Sequence, residues 1–176
     1  MTQQLSLLPE LTVAEQAVAP TVGRVRRNNP PTSTGRGCNN FGAFSGGAIL
    51  SATGTASLSA DSVVFNSSGE NATAPTIFLQ GTTQIATGIV FGAGIRCVGG
   101  TLKRLYLGNA SGGSITRPAP GDPHVSARSA QLGDTIFPNT HRFYMAYYRD
   151  PLAAGPCGDP ARTFNSSESV DILWTP

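Results

Sequence analysis

Apolar residues along most of this chain come in short runs separated by Gly, Pro, Ser, Thr and Asn. Short runs bounded by turn residues predict strands rather than helices. They fall at residues 48–52, 62–66, 76–80, 85–91, 101–107, 142–148 and 169–174, with weaker candidates at 114–116 and 124–130. The clearest is 142–148, where Phe143, Met145 and Tyr147 alternate with Tyr144, Ala146 and Tyr148. Side chains in a strand point alternately to opposite faces, so these two sets must part company. Gly88, inside the run at 85–91, predicts a bulge. Leu102 is out of phase with Leu105 and Leu107, which implies a twisted strand or one buried on both sides. Many short strands at roughly 10–15-residue spacing predict an all-β fold, an antiparallel β-sandwich of jelly-roll or immunoglobulin-like topology.

The first 36 residues read differently. Leu5, Leu7, Leu8, Leu11, Val13 and Val18 are apolar, but Pro9 and Pro20 interrupt them. A short helix over 11–18 is one option; residues 20–36 predict an extended arm, stiffened by Pro30-Pro31. The expected division is an N-terminal arm, 1–36, and a sandwich domain, 37–176. Apolar surface is expected to hold such an arm, on its own domain or on a neighbouring copy, for instance by adding a strand to an open sheet edge.

Charge narrows the function classes. Only 12% of residues are charged, about half the usual share, so Ser, Thr, Asn and Gly cover the surface and few acids or bases are on offer. The net charge is +2 and the one basic cluster is Arg24, Arg26 and Arg27, which reads as a solvated linker or, alternatively, as an anion-binding, capsid-like basic arm. No nucleic-acid partner is expected from so small an excess. No run approaches the ~18 apolar residues of a membrane span. Residues 1–8 lack the basic start and long apolar run of a secretion leader, so secretion would require one removed upstream.

Three cysteines are present, Cys38, Cys97 and Cys157, with no Cys-x-x-Cys pair that would suggest zinc. Cys97 follows a strand candidate and Cys157 sits in a Gly/Pro loop before the last strand, an arrangement that suits a Cys97–Cys157 disulfide. It would close a loop of about 60 residues and contribute on the order of 4 kcal/mol. Cys38 is then left for an intermolecular bond, a lost partner or a free thiol.

Catalytic signatures are sparse. There is no Gly-x-Ser-x-Gly elbow and no phosphate-binding loop. Ser126 and Ser129 lie near His124 and Asp122 in sequence, which alone makes no triad. His124 and His141 with Asp122 or Asp134 read as surface groups, so no metal site is expected. A weak calcium alternative rests on the Asp122 and Asp159 loops, which turn chemistry explains equally well. Of the aromatic residues Phe143, Tyr144, Tyr147 and Tyr148, half are expected in the core, and the other half could form a sugar-stacking or interface surface, with Tyr144 and Tyr148 as its candidates.

Several segments together resemble the C-terminal all-β domain of uncharacterised secreted proteins of planctomycete- and myxobacteria-like bacteria. They are residues 35–40 (GRGCNN), 96–100 (RCVGG) with Leu102, Arg104 and Leu105, then 126–130 (SARSA), 132–134 (LGD), 142–144 (RFY), 147–151 (YYRDP), Cys157, 163–165 (TFN) and Trp174. The resemblance covers residues 35–176 and implies a secreted β-domain, often at the end of a larger chain. Such domains often carry further cysteines before the Gly-x-Gly-Cys stretch, where this chain has Asn28-Asn29-Pro30-Pro31. In a bacterial setting the Asn-x-Ser/Thr triplets at Asn66, Asn71, Asn109 and Asn165 are polar turns rather than glycan acceptors.

These features together predict a non-catalytic extracellular or cell-surface structural protein that assembles with copies of itself through its arm. The alternative is a module that binds carbohydrate or another cell-surface polysaccharide. A hydrolase and a viral shell protein are further alternatives.

Overall fold

The computed structural model describes residues 35–41, 46–151, 157–159 and 161–176. The arm positions Leu5, Leu7, Leu8, Leu11, Val13 and Val18 lie outside them. Among the described residues nine strands and one helix follow in order: β1 (Ile49–Thr53), β2 (Val64–Ser68), β3 (Pro75–Gly81), β4 (Thr83–Phe91), β5 (Gly94–Gly99), β6 (Lys103–Asn109), β7 (Ser114–Arg117), α1 (Val125–Gln131), β8 (Thr140–Arg149) and β9 (Phe164–Trp174). A three-stranded sheet, β1-β2-β7, faces a four-stranded one, β6-β3-β8-β9, and β4-β5 forms a separate hairpin. The pairings within these sheets are antiparallel, and the architecture is the expected all-β sandwich.

The alternation in β8 decides what fills the sandwich. Tyr144, Ala146 and Tyr148 face inward and are buried. Tyr144 packs its ring 4.7 Å from Phe65 of the opposite sheet, and its hydroxyl accepts from Trp174 Nε1 at 3.0 Å. Phe78, Leu105, Ile115, Val125, Ile136, Val170 and Ile172 complete this apolar half. Leu105 reaches it through a bulge: Phe78 is opposite Tyr106 and Leu79 opposite Arg104, so Leu105 is an extra residue. The bulge puts Leu105 inside, while Leu107 stays exposed.

Two segments depart from the sequence reading. Residues 125–131 form a helix where a weak strand was expected. Val125 and Ser129 are buried and Ala127 between them is exposed, a spacing of four that suits a helix. The Asp61 carboxylate accepts from the Ser126 amide in its first turn at 2.7 Å. β5, bounded by Gly94 and Gly99, was not among the expected strands. Gly94 is required by closeness, since a Cβ there would meet Asn165 Oδ1 and Ser166 Oγ of β9. Gly88, with φ +67°, sits at the register shift of β4, as the bulge reading expected.

The other half of the interior is polar. Asn40, Ser67, Glu70, Thr76, Asp150, Asn165, Ser166, Ser167 and Glu168 are all buried. Asp150 accepts from Asn165 Nδ2 and Asn71 Nδ2, each at 3.2 Å. Glu70 accepts from the hydroxyls of Ser67 and Thr76. Burial raises the Glu70 carboxyl above its ordinary range, against the pull of those hydroxyls. Glu168 joins the two sheets, its Oε1 accepting from the Leu50 amide of β1 at 2.9 Å. Burial pushes the Glu168 carboxyl up to about 7, with its backbone hydrogen bonds and Arg36 opposing.

Residues 35–41 belong to the domain rather than to an arm ending at residue 36. Arg36 donates to the Gly47 carbonyl at 3.1 Å, and Gly37 donates to Ala48 at 2.8 Å. Gly37 passes so close to β9 that a Cβ would overlap the Ser166 carbonyl. This course sets the cysteine pairing. The disulfide joins Cys38 to Cys157, with Cα atoms 5.9 Å apart, and corrects the Cys97–Cys157 expectation. Asp159 donates to Gly92 O at 2.9 Å, which brings the residue-157 turn beside the β4-β5 hairpin. Cys97 lies inside β5 rather than after it and is buried. The bond spans 119 residues and on the chain-entropy model contributes about 5 kcal/mol.

Non-reducing peptide mapping should return Cys38 joined to Cys157, and a Cys97–Cys157 pair would overturn the assignment. Cys38→Ser should lower unfolding free energy by about 3–5 kcal/mol in urea titration. Glu168 holds its proton more tightly folded than unfolded. Its stabilising effect is therefore complete below about pH 4.5 and lost as pH rises through about 7. Urea midpoints at about pH 5 and about pH 8 should show that loss in the wild type, on the order of 3 kcal/mol at most, and little of it in Glu168→Gln.

Candidate functional site

The outward face of the four-stranded sheet carries the alternate residues. Ile77 and Leu79 of β3 lie opposite Tyr147 and Met145 of β8, and Leu107 and Arg104 of β6 lie opposite Ile77 and Leu79. This set is too apolar for an ordinary solvated sheet face, and the β4-β5 hairpin covers part of it. Val98 of the hairpin buries itself on Leu79 and Met145, with Phe91, Phe143 and Tyr147 packed around them.

The cover is incomplete and leaves a cleft of about 580 Å³ lined by Leu79, Phe91, Arg96, Leu102, Lys103, Arg104, Leu132 and Tyr147. Phe91 and Tyr147 are its two rings, and Phe164 packs behind Phe91. Phe91 meets Tyr147 edge-on at 5.4 Å and Phe164 at 5.0 Å, the geometry aromatic quadrupoles favour. A second, smaller pocket of about 200 Å³, lined by Pro75, Ile77, Leu107, Tyr147, Tyr148, Arg149 and Phe164, shares Tyr147 with it. Leu107 is 67% exposed there, and Ile89 and Val90 of the hairpin also face solvent.

The rim is cationic. Arg96 places its guanidinium 5.6 Å from the Phe91 ring centroid and donates from Nη1 to Val98 O at 2.6 Å. Its buried Nε has no hydrogen-bond partner among the described residues. Arg96, Lys103 and Arg104 are in no ion pair among the described residues, and no carboxylate lines the cleft. The acids elsewhere are occupied. Asp122 pairs with Arg117, Asp134 with Arg142, Asp159 with Arg162 and Asp171 with His141. Asp61, Glu70, Asp150 and Glu168 accept hydrogen bonds within the fold.

No family model matches the chain, and no curated protein or solved structure matches it. Its chemistry is read from its own residues.

Tyr144 and Tyr148 do not form a binding surface. Their exposures are 2% and 1%, because their face of β8 looks onto the opposite sheet. The Tyr148 hydroxyl accepts from Asn40 Nδ2 at 2.8 Å, and burial raises both phenols well above their ordinary range. Tyr147, on the opposite face, is the tyrosine at the site.

The other candidates have structural partners. Ser129 is buried, donates to the Asp134 carbonyl and accepts from Gln80 Nε2 at 2.6 Å. Gln80 also donates to Asp134 Oδ2, and Arg142 holds both Asp134 oxygens. These bonds fasten α1 and its following loop to β3 and β8. His141 is on the surface, 2.6 Å from Asp171. No three His, Cys, Asp or Glu residues cluster among the described residues in a way that could hold a metal. Asp122 and Asp159, the calcium candidates, each cap their own turn as well as pairing with arginine. Asn165 is fully buried and Asn66 donates to Thr116 Oγ1, whereas Asn109 is exposed.

Substitution should separate the two tyrosines. Tyr148→Ala should lower unfolding free energy by about 3–5 kcal/mol. Tyr147→Ala, which leaves the sandwich interior intact, should cost about 1–2 kcal/mol. Urea unfolding followed by circular dichroism reads both, and equal losses would contradict this placement.

Proposed function

We propose that this chain is a non-catalytic extracellular structural module that assembles with copies of itself, using the Tyr147 face of the four-stranded sheet. The observation that carries this reading is the half-covered apolar face. A cleft of about 580 Å³ adjoins a second pocket and exposed Leu107, Ile89 and Val90. Apolar surface gathered in this way marks contact with another molecule. The disulfide suits an oxidising compartment outside the cytosol, as does the resemblance to secreted β-domains. Serine and histidine side chains considered for catalysis are spent on the fold or stand apart from the cleft.

Strand addition is not the route favoured at the β6 edge. Arg128 Nε donates to Leu105 O at 2.8 Å and Arg117 donates to Leu107 O, so two carbonyls of this edge strand are taken by side chains. Charge on an edge is a common guard against further pairing. Assembly through side chains in the cleft is the better reading.

A second reading is favoured by the cationic rim. An acidic cell-surface polysaccharide could stack on Tyr147 and Phe91 and pair its acid groups with Arg96, Lys103 and Arg104.

Light scattering on the full chain should show species larger than one copy, and deletion of residues 1–34 should leave a monomer. A full chain that is monomeric throughout would remove the assembly reading. Retention of that monomer on an acidic polysaccharide column would favour the second reading.

A further inference from the structure

We propose that the Tyr147 cleft is the receptor for residues 5–18 of a neighbouring copy. This inference rests on the self-assembly reading and assigns its two halves.

Charge complementarity is the first argument. The chain has ten acidic residues. Eight of them, Asp61, Glu70, Asp122, Asp134, Asp150, Asp159, Glu168 and Asp171, lie in the described domain and are paired or hydrogen-bonded there. The two that remain are Glu10 and Glu15. They stand among Leu5, Leu7, Leu8, Leu11, Val13 and Val18, and no Lys, Arg or His occurs before Arg24. An apolar, purely acidic segment thus matches an apolar cleft rimmed by Arg96, Lys103 and Arg104. The cleft offers few neutral hydrogen-bonding groups, which suits leucine and valine better than sugar hydroxyls.

Position is the second argument. Residues 35–41 lie along β9, where Asn165 Nδ2 donates to Asn39 O at 2.9 Å. Lys103 and Arg104 belong to β6, at the opposite edge of the sheet in the order β6-β3-β8-β9. The segment therefore joins the domain at one edge of the sheet and two of the three rim cations lie at the other, with the β4-β5 hairpin over the face between. Copies placed with the β9 edge of one beside the β6 edge of the next satisfy both ends. Such contacts are head-to-tail and continue from copy to copy. Residues 19–34 can span about 50 Å when extended, well beyond the ~14 Å radius of gyration of a domain this size.

A charge swap in the full chain tests the pairing. Lys103 and Arg104 have no ion pair with any described residue, so K103E/R104E should keep the circular dichroism spectrum of the wild type. Measured by light scattering across a dilution series, K103E/R104E and E10K/E15K should each shift the dissociation concentration upward about tenfold or more. The four substitutions together should restore it to within about threefold of wild type. Assembly that ignores both pairs, or that the combination fails to restore, overturns the cleft as receptor and leaves self-assembly standing. A monomeric wild type overturns both. If the monomer shows the same swap pattern in its unfolding midpoint, the segment closes on its own cleft. If K103E/R104E abolishes acidic-polysaccharide retention while E10K/E15K does not, the polysaccharide is the occupant.

Discussion

β8 is hydrogen-bonded to β3 on one side and to β9 on the other, so its side chains can go only inward or outward. Two apolar faces on such a strand need two covers. The opposing sheet supplies one, over Tyr144, Ala146 and Tyr148. The β4-β5 hairpin supplies the other, over Met145, and runs out before it has enclosed Tyr147. The cleft is the remainder of that mismatch between a long apolar strand and a short hairpin.

The polar half of the interior follows from a different shortage. Where the sheets are joined by Glu168 and by residues 35–41, backbone passes close to backbone, as at Gly37 and Gly94. At those two glycines there is no room even for a Cβ, and short polar side chains nearby satisfy the amides and carbonyls brought inside. Such a region gains less from burial than the Phe65–Tyr144–Trp174 half does. The Cys38–Cys157 bond lies at this weaker side.

Local pattern revealed strand identity, and distance in sequence hid the rest. The split of β8 into two sets was legible from residues 142–148 alone. Which set met the second sheet was not, because that depends on Phe65 and Leu50, far away in the chain. Cys157 had to choose between Cys97 and Cys38, and its choice depends on the course of residues 35–41 along β9. The SARSA and LGD segments hold Ser129 and Asp134, which the sequence weighs as chemical candidates and sets aside without a role. Ser129, Asp134 and Arg142 instead serve to fasten a helix that propensity should have favoured, given its Ala, Arg and Gln. For the cleft, the available signal was the excess of apolar residues on the Tyr147 side together with arginine and lysine near residues 96–104.

The disulfide also defines a mechanical load path. Tension entering through the N-terminal segment and leaving through the C-terminus passes from Cys38 directly to Cys157, and the 119-residue span between them carries none of it covalently. The strands β1 to β8 lie inside that shielded span, while β9 lies in series with the load. Pulled by its two ends, the domain would yield first by peeling β9 from β8, and its extension would stop at the bond.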